Sequence, residues 1–175
     1  MDEIVKAALK KWPNVPACRG WLGLDARGDW YMRDDRVQAA GPFPRVKGSR
    51  LLHDKLIAFI GRNYEQDESG RWCLQNEPQR VYVELEAAPW VWRVDGAGAI
   101  TTHTGLAARP RSAWLDEHGR LFLDSDLGLG IVHTLDMLDA SRMVESGAWQ
   151  PQPLRFAELA ERFGHVLSPQ ADAAT

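Results

Sequence analysis

The chain has 175 residues, of which 45% are hydrophobic and 26% are charged, as in a globular protein with a hydrophobic core. A formal net charge of −3, without any run of Lys or Arg, excludes the basic surface of a nucleic-acid-binding protein. No apolar run approaches the ~20 residues that span a bilayer, and the charged start lacks the apolar core of a signal peptide, so we expect a cytoplasmic protein that binds neither nucleic acid nor membranes.

The first half of the chain is predicted to combine helices with a hairpin. Apolar residues at helical spacing predict an amphipathic helix over residues 2–12. A first β-hairpin is expected over residues 20–34, before a loop rich in Pro and Gly at 39–48. Ser49 is the predicted N-cap of a second helix that ends near Arg62.

The second half is predicted to consist mostly of strands. Alternating or apolar runs predict strands at 71–75, 80–86 and 90–94, hairpins near 91–103 and 112–124, and a helix over 131–144. The segment LRFAELAERFG, which begins at Leu154, has the propensity of a helix, but its place in the repeat described below favours a strand. We therefore expect a strand to about Ala157 and then a short helical turn.

A short pattern recurs four times: Asp, two further residues, Gly, and a strand with alternating apolar residues. The four pairs are Asp25/Gly28, Asp67/Gly70, Asp95/Gly98 and Asp116/Gly119. Asp at the first and Gly at the fourth position are typical of a tight turn, because the carboxylate accepts backbone N–H groups and Gly adopts a positive φ. The alternative is calcium, for which DSDLG at 124–128 resembles the start of a loop, but its twelfth position is Leu135 and not an acid.

A longer repeat predicts a duplication. The order of hairpin, helix, Ser-Gly-x-Trp and Pro-Gln strand occurs twice, with the Ser-Gly-x-Trp copies beginning at Ser69 and Ser146. We infer an α+β fold of antiparallel β-hairpins with two or three helices, built from two related halves. The predicted boundaries are 1–16 for an N-terminal helix, 17–88 and 89–167 for the two halves, and 168–175 for a disordered tail.

The segment NEPQRVYVELEAAPWVWRV, residues 76–94, is the most distinctive part of the chain. Its alternating strand ends in Glu-Ala-Ala-Pro-Trp, and with the Gly28-x-Trp30 hairpin it resembles a proteobacterial family of uncharacterised proteins. In that family a Thr-Pro-x-Glu-Lys-like strand leads into a Val-Glu-Asp-Ala-Pro-Phe-like stretch. The resemblance covers residues 20–95 and implies an α+β fold with repeated motifs and a role in signal transduction. It assigns no catalytic residues, and the loop at 41–48 departs from the pattern as an insertion.

Glu84 and Glu86 form the first candidate site. They lie two residues apart on a predicted strand, roughly 7 Å between Cα atoms. Such a pair suits acid–base or metal chemistry, but it also suits a solvated strand face whose acids pair with Arg80 and Arg93.

His53 and His133 form the second candidate site, because each follows two aliphatic residues at a predicted helix start in its own half. Two histidines facing one cleft would bind a metal or an anion. The alternative is that both are ordinary surface or capping residues of their helices.

Other reactive side chains give weaker signals. His103 lies among hydroxyls in TTHTG, but the sequence lacks the nucleophile elbow, HExxH, Walker loop and paired CxxC motifs. Cys18 and Cys73 are expected to be reduced thiols, and Cys73 is expected to be a structural rather than a nucleophilic thiol.

Three functions follow from these signals, and whether the protein is an enzyme stays open with a preference against it. The first is a non-enzymatic module that binds a small molecule or a protein in a groove between the halves, lined by Tyr82, Glu84, Glu86, Trp90 and Trp92. The second is a metal-dependent hydrolase that uses His53 and His133 with Asp124, Asp126 or Asp136. The third is a homodimer with exposed Trp side chains at its interface. The cofactor and the ligand are not predicted.

Overall fold

The computed structural model describes residues 1–173, which divide into two units. Unit 1 comprises residues 1–25, 29–86 and the segment from His165 onwards, and unit 2 comprises residues 26–28 and 87–164. The main division therefore falls between residues 86 and 87, two residues before the predicted start of the second half.

Unit 1 contains a six-stranded sheet and four helices. The elements are α1 Glu3–Lys11, β1 Cys18–Leu24, β2 Trp30–Met32, α2 Asp35–Ala40, β3 Ser49–Arg50, α3 Asp54–Arg62, β4 Tyr64–Gln66, β5 Trp72–Asn76, β6 Gln79–Leu85 and α6 Pro169–Ala173. The sheet has the order β3-β2-β1-β6-β5-β4. It consists of two antiparallel three-stranded meanders, which are joined by the parallel pairing of β1 with β6.

Unit 2 contains a seven-stranded sheet with two helices and one short 3₁₀ turn. The elements are β7 Trp90–Val94, β8 Ile100–Thr102, β9 Ala107–Ala108, β10 Pro110–Leu115, β11 Leu121–Ser125, β12 Gly128–Val132, the 3₁₀ turn Thr134–Asp136, α4 Met137–Glu145, β13 Gln152–Pro153 and α5 Phe156–Phe163. The sheet order is β13-β10-β11-β12-β7-β8-β9. Two meanders are again joined by a parallel pair, here β7 with β12.

The two units share one topology, which confirms the predicted α+β fold from two related halves. Strands β1–β6 correspond to β7–β12 in order, and the central parallel register pairs Leu22 with Val83 in unit 1 and Trp92 with Val132 in unit 2. The first turn of the second meander has a similar sequence in each unit, DESGR at 67–71 and DEHGR at 116–120.

The two Ser-Gly-x-Trp motifs that suggested the duplication nevertheless do not lie in equivalent elements of the two units. SGRW at 69–72 lies in the β4–β5 turn, whereas SGAW at 146–149 follows α4. Strand order equates the β4–β5 turn with the β10–β11 turn instead. Short matches such as Ser-Gly-x-Trp recur because turns favour the same residues, so they do not by themselves fix a repeat.

All four Asp–Gly pairs form the predicted tight turns, and each connects the first two strands of a meander. The N–H of each Asp donates to the carbonyl four residues later, at 2.8–3.1 Å, and each Gly has φ between 74° and 85°. One oxygen of each carboxylate accepts the N–H four residues on, as in Asp95 Oδ1 with Ala99 N at 2.9 Å. A fifth turn of this kind begins at Thr102, whose hydroxyl replaces the carboxylate and accepts Leu106 N.

Each unit has its own apolar interior. In unit 1 the ring of Tyr64 contacts Trp30 edge-to-face and Trp72 at a tilt, with centroids 5.2 and 4.8 Å apart. In unit 2 the core centres on buried aliphatic and aromatic residues of β7, β11, β12 and α5, namely Val91, Phe122, Leu129, Ile131 and Leu159. Full burial of one such side chain contributes roughly 1.5–3 kcal/mol, so these clusters hold the strands in place.

Two predicted helix starts need correction. Ser49 is not an N-cap, because it pairs with Met32 in β3, and His53 caps α3 instead. The helix predicted over 131–144 begins later, since Gly128–Val132 is a buried strand. A short apolar run before a helix is compatible both with a strand and with the first turn of the helix. Here the run pairs with β7 and therefore forms a strand.

The end of the chain differs from the predicted structure in two places. The expected strand to about Ala157 is limited to Gln152–Pro153, and Phe156–Phe163 is a helix with Glu158 bonded to the backbone N–H of Arg155. The helix propensity of this segment therefore predicted its structure better than its place in the proposed repeat did. The tail expected to be disordered from residue 168 contains α6, which is Pro169–Ala173, and its last two residues lie outside the described part.

Candidate functional site

An apolar cavity lies in unit 1 between α3 and the sheet, and we call it the α3 groove. Its floor includes Leu22 of β1, Leu74 of β5 and Val81 of β6, and its wall includes Leu56 and Ile60 of α3. The parallel pairing of β1 with β6 brings these distant strands together, and the helical spacing of Leu56 and Ile60 turns both towards the sheet. The cavity volume is about 320 Å³, within the range of small-molecule sites.

Large apolar side chains remain exposed around the α3 groove. Trp21, Met32 and Leu56 are 38, 44 and 40% exposed, although each lines the cavity. Apolar surface of this extent is costly in water, at about 25 cal/mol per Å². A ligand that covered these side chains would recover that free energy.

The α3 groove also has a polar end. Asn76 and Gln79 pair in the β5–β6 hairpin, and both line the cavity, whereas none of its described lining residues is charged. Cys18 lies in β1 opposite Val81, lines the same cavity, and is a free, half-buried thiol. The groove therefore offers an uncharged apolar channel with amide groups at one end.

Tyr82 lies outside this groove and is held in a polar cluster. Its hydroxyl donates to Asp67 Oδ2 at 2.8 Å, and the guanidinium groups of Arg19 and Arg71 lie over its ring at about 4.9 and 5.0 Å. Burial alone would raise the pKa of Asp67, but hydrogen bonds from Arg71, Tyr82 and Ser69 outweigh it and lower the pKa. The carboxylate is thus kept ionised and joins the β4–β5 turn to β6.

Glu84 is buried rather than available on a strand face. Its carboxylate accepts the Ser168 hydroxyl at 2.5 Å and the Gln170 N–H at 3.2 Å, at the start of α6. Burial raises the pKa of Glu84, while these hydrogen bonds and the charge of Arg33 oppose that rise. Arg33 is fully buried and donates to the carbonyls of Gly20 and Gly41. Glu84 therefore fastens the C-terminal segment onto unit 1.

Glu86 takes part in a separate ion-pair cluster. Lys47 Nζ lies 3.2 Å from Glu86 Oε1 and 3.4 Å from Asp25 Oδ2, and the Tyr31 hydroxyl donates to Asp25 at 3.1 Å. Burial lowers the pKa of Lys47, but the two carboxylates raise it by more. Ser168 and Gln170 hold the Glu84 carboxylate, whereas Lys47 holds that of Glu86, so the two carboxylates take part in separate clusters.

Trp90 and Trp92 are core residues of unit 2. They are 5 and 0% exposed, and their indole N–H groups donate to the carbonyls of Leu127 and Leu123 at 2.8 and 2.9 Å. A ligand-lining role requires accessible rings, so this burial argues against the predicted aromatic lining.

Both candidate histidines are helix N-caps, each in its own unit. His53 Nδ1 accepts Leu56 N at 3.3 Å, and His133 Nδ1 accepts Leu135 N at 3.0 Å. The two histidines do not occupy equivalent positions in the two units. His53 follows β3 and His133 follows β12, whereas the strand orders equate β3 with β9. Within residues 1–173 no group of three or more His, Cys, Asp or Glu side chains is placed to hold a metal ion.

Two of the three carboxylates of the proposed hydrolase, Asp126 and Asp136, have structural contacts. Asp126 Oδ1 accepts Arg109 N at 2.8 Å, and Asp136 pairs with Arg93. His103 Nδ1 accepts Val91 N at 3.2 Å. Cys73 is fully buried, and burial raises its thiol pKa to about 12, as expected for a structural thiol.

Sequence reasoning missed the strand side of the α3 groove. The helix that carries Leu56 and Ile60 was predicted, but Cys18, Trp21 and Met32 were not considered as lining. A register irregularity in β1 between Cys18 and Leu22 disturbs the alternation of that strand, so sequence alternation does not place Cys18 and Trp21.

A comparison with family models matches the chain to a family of unknown function. A family model described as "Protein of unknown function (DUF2946)" matches residues 1–170. No protein of curated function matches significantly. Among solved structures, a DUF1285 family protein from Silicibacter pomeroyi DSS-3 is 15% identical, with a TM-score of 0.52 over 82% of this chain and 85% of that one.

A second solved structure, a DUF1285 family protein from Shewanella baltica OS155, is also 15% identical, with a TM-score of 0.46 over 70% of this chain and 91% of that one. At the identity of the first neighbour, the likeness shows the fold alone. Among the described residues, no helix has the length and apolar character needed to cross a membrane.

Proposed function

The chain belongs to the family described as protein of unknown function (DUF2946), and since that description names no activity, we propose from the α3 groove that it is a non-enzymatic module that binds a small apolar molecule. The ligand is an elongated, uncharged molecule with one polar end. The signalling role that the sequence resemblance implies belongs to the same proposal, with occupancy of the groove as the input.

One observation carries this proposal: the groove combines a half-open apolar volume with exposed apolar side chains among its lining. A cavity of about 320 Å³ already separates α3 from the sheet, so a ligand needs no unfolding of the core to enter. Trp21, Met32 and Leu56 are more exposed than is usual for side chains of their size beside a core. An apolar ligand would bury them together.

The orientation of the ligand follows from the lining. The amides of Asn76 and Gln79 lie at the β5–β6 hairpin and offer both donors and acceptors to a hydroxyl or carbonyl group. The absence of charged groups from the described lining gives a carboxylate no compensation for its lost hydration. A fatty alcohol therefore fits better than a fatty acid of the same length.

The Cys18 thiol provides a local test. We expect 1-decanol to raise the melting temperature and to slow alkylation of Cys18 in a Cys73→Ala background, because the ligand stabilises the folded state and covers the thiol. Sodium decanoate should have a smaller effect on both measurements.

Matched variants localise the effect. Leu56→Gln should weaken the response, because it places an amide in the apolar wall, whereas Leu52→Gln should not, since Leu52 is 74% exposed and does not line the cavity. Equal responses of the two variants, or an unchanged alkylation rate with bound 1-decanol, would reject the proposal.

A further inference from the structure

One edge of the unit 2 sheet is only partly covered. Strand β13 pairs with β10 at Trp114 and Leu115 alone, so residues 110–113 of β10 have a strand neighbour only on the β11 side. Arg111 is exposed and Ser112 is half-buried along this open edge. An open strand edge carries backbone donors and acceptors that can pair with another extended chain.

A cavity runs along this open edge. It has a volume of about 400 Å³ and lies between β10 and the segment that leads from α4 to β13. Ala113, Leu123 and Trp149 give it an apolar base, and Gln150 and Gln152 line the opposite side. Each residue of an added strand occupies roughly 160 Å³, which is the product of the strand spacing, the sheet spacing and the rise per residue. The cavity therefore holds about two or three extended residues.

The charge of the cavity points to an acidic occupant. Arg111 is the one charged residue among its described lining residues, and no described side chain pairs with the Arg111 guanidinium. A carboxylate at this position would form a charge-assisted hydrogen bond with the guanidinium.

We propose that the open edge of β10 binds an extended acidic peptide segment of a partner protein, which adds to the sheet in line with β13. The backbone of β10 supplies the pairing, Arg111 selects an acidic side chain, and the apolar base beside Trp149 accepts the neighbouring side chain. This site belongs to unit 2 and does not depend on the α3 groove.

The probe is a fluorescein-labelled, end-capped peptide with the sequence Thr-Val-Glu-Val-Thr, and fluorescence anisotropy measures its binding to the full chain. We expect saturable binding that weakens as the salt concentration rises. The same peptide with N-methyl groups on its valines and glutamate keeps every side chain but loses the backbone donors of its three central residues. We expect it to bind at least about tenfold more weakly, because strand addition depends on those donors.

Charge variants test the role of Arg111. Arg111→Gln should weaken binding about three- to fivefold, as expected for an exposed ion pair, and Arg111→Glu should favour a probe with Lys in place of Glu. Arg109→Gln is the matched control, since this arginine lies two residues away and outside the cavity lining. It should leave the affinity unchanged.

Four results would overturn the proposal. They are no saturable binding of the probe, equal binding of the N-methylated peptide, equal effects of the Arg109 and Arg111 variants, and dimerisation through this edge by light scattering that the probe does not disrupt. The last result would assign the edge to a second copy of the chain.

Discussion

Arg93 donates to both carboxylate oxygens of Asp136, at 2.6 and 3.2 Å, and thereby joins β7 to the 3₁₀ turn that follows β12. Asp136 also accepts the buried N–H of Val94 at 3.0 Å. The hydrogen bond from Arg93 lowers the pKa of Asp136, and the backbone N–H of Val94 acts in the same direction against burial. The Asp136 carboxylate thus provides a hydrogen-bond acceptor for the last residue of β7, Val94, which precedes it by 42 residues.

The first prediction concerns this carboxylate. Asp136→Ala should lower the free energy of unfolding by about 1–3 kcal/mol, mainly because the buried Val94 N–H loses its acceptor. Arg93 is half-exposed, so its ion pair contributes little beyond that. Asp139→Ala, which removes an exposed pair with Arg142, should cost less than about 1 kcal/mol in the same urea titration. Equal costs would show that Asp136 has no special role.

The second prediction tests the tight turns. Gly119 has φ of 74°, and a Cβ atom there would meet no other group within 4 Å, so substitution adds backbone strain without a steric clash. Gly119→Ala should therefore cost about 1–2 kcal/mol of unfolding free energy, and Gly119→Asn should cost less, because Asn tolerates the left-handed region. Gly96→Ala is the control, since this Gly has equal space and no left-handed φ. A destabilised Gly96→Ala would argue against the conformational explanation.

The third prediction concerns acid stability. Burial lowers the pKa of His165 from 6.5 to about 4, and its Nε2 atom has no hydrogen-bond partner in the described structure. The folded state therefore keeps a neutral imidazole where the unfolded state takes up a proton. The stability that depends on this neutral imidazole is fully present above the pKa of His165 in the unfolded state. It is lost as the pH falls from about 6.5 towards 4, by roughly 3 kcal/mol at most.

Comparison of the wild type with His165→Phe isolates this effect from that of the carboxylates. Relative to the wild type, the variant should gain stability as the pH falls from 7 to 4. His118→Phe removes an exposed imidazole and should show no such trend. A pH-independent difference for His165→Phe would contradict the assignment.

The fourth prediction distinguishes the two thiols. Cys73 is fully buried with a thiol pKa of about 12, whereas Cys18 is half-buried at the α3 groove. Native protein should expose one thiol per chain to a disulfide reagent, and the second thiol should react only after unfolding. Cys18→Ser should abolish the early reaction and Cys73→Ala should retain it. Two early thiols would contradict the burial of β5.

Local chemistry made much of the fold predictable. The Asp and Gly pairs fixed four turns, because both the carboxylate contacts and the positive φ act within five residues. Likewise, alternation placed strands at Gln79–Leu85 and Trp90–Val94. By contrast, the N-cap of α3 was misplaced at Ser49, because only pairing with β2 shows that Ser49 lies in a strand.

The candidate site was less predictable, since it depends on contacts between distant residues. Glu84 looked like a strand-face acid until Ser168, 84 residues away, supplied a partner. The groove requires β1 and β6 to lie side by side, and no local pattern encodes a parallel pair. Trp90 and Trp92 were chosen for their ring size, whereas their burial follows from both faces of β7 being covered.

The contacts of the C-terminal segment have a consequence for biosynthesis. Val166 N donates to Gly70 O and Leu85 N donates to Leu167 O, so residues beyond 164 complete the sheet side of unit 1. These residues follow the whole of unit 2 along the chain. On the ribosome, the nascent first unit therefore waits for the inserted second unit to be translated before its last hydrogen bonds can close.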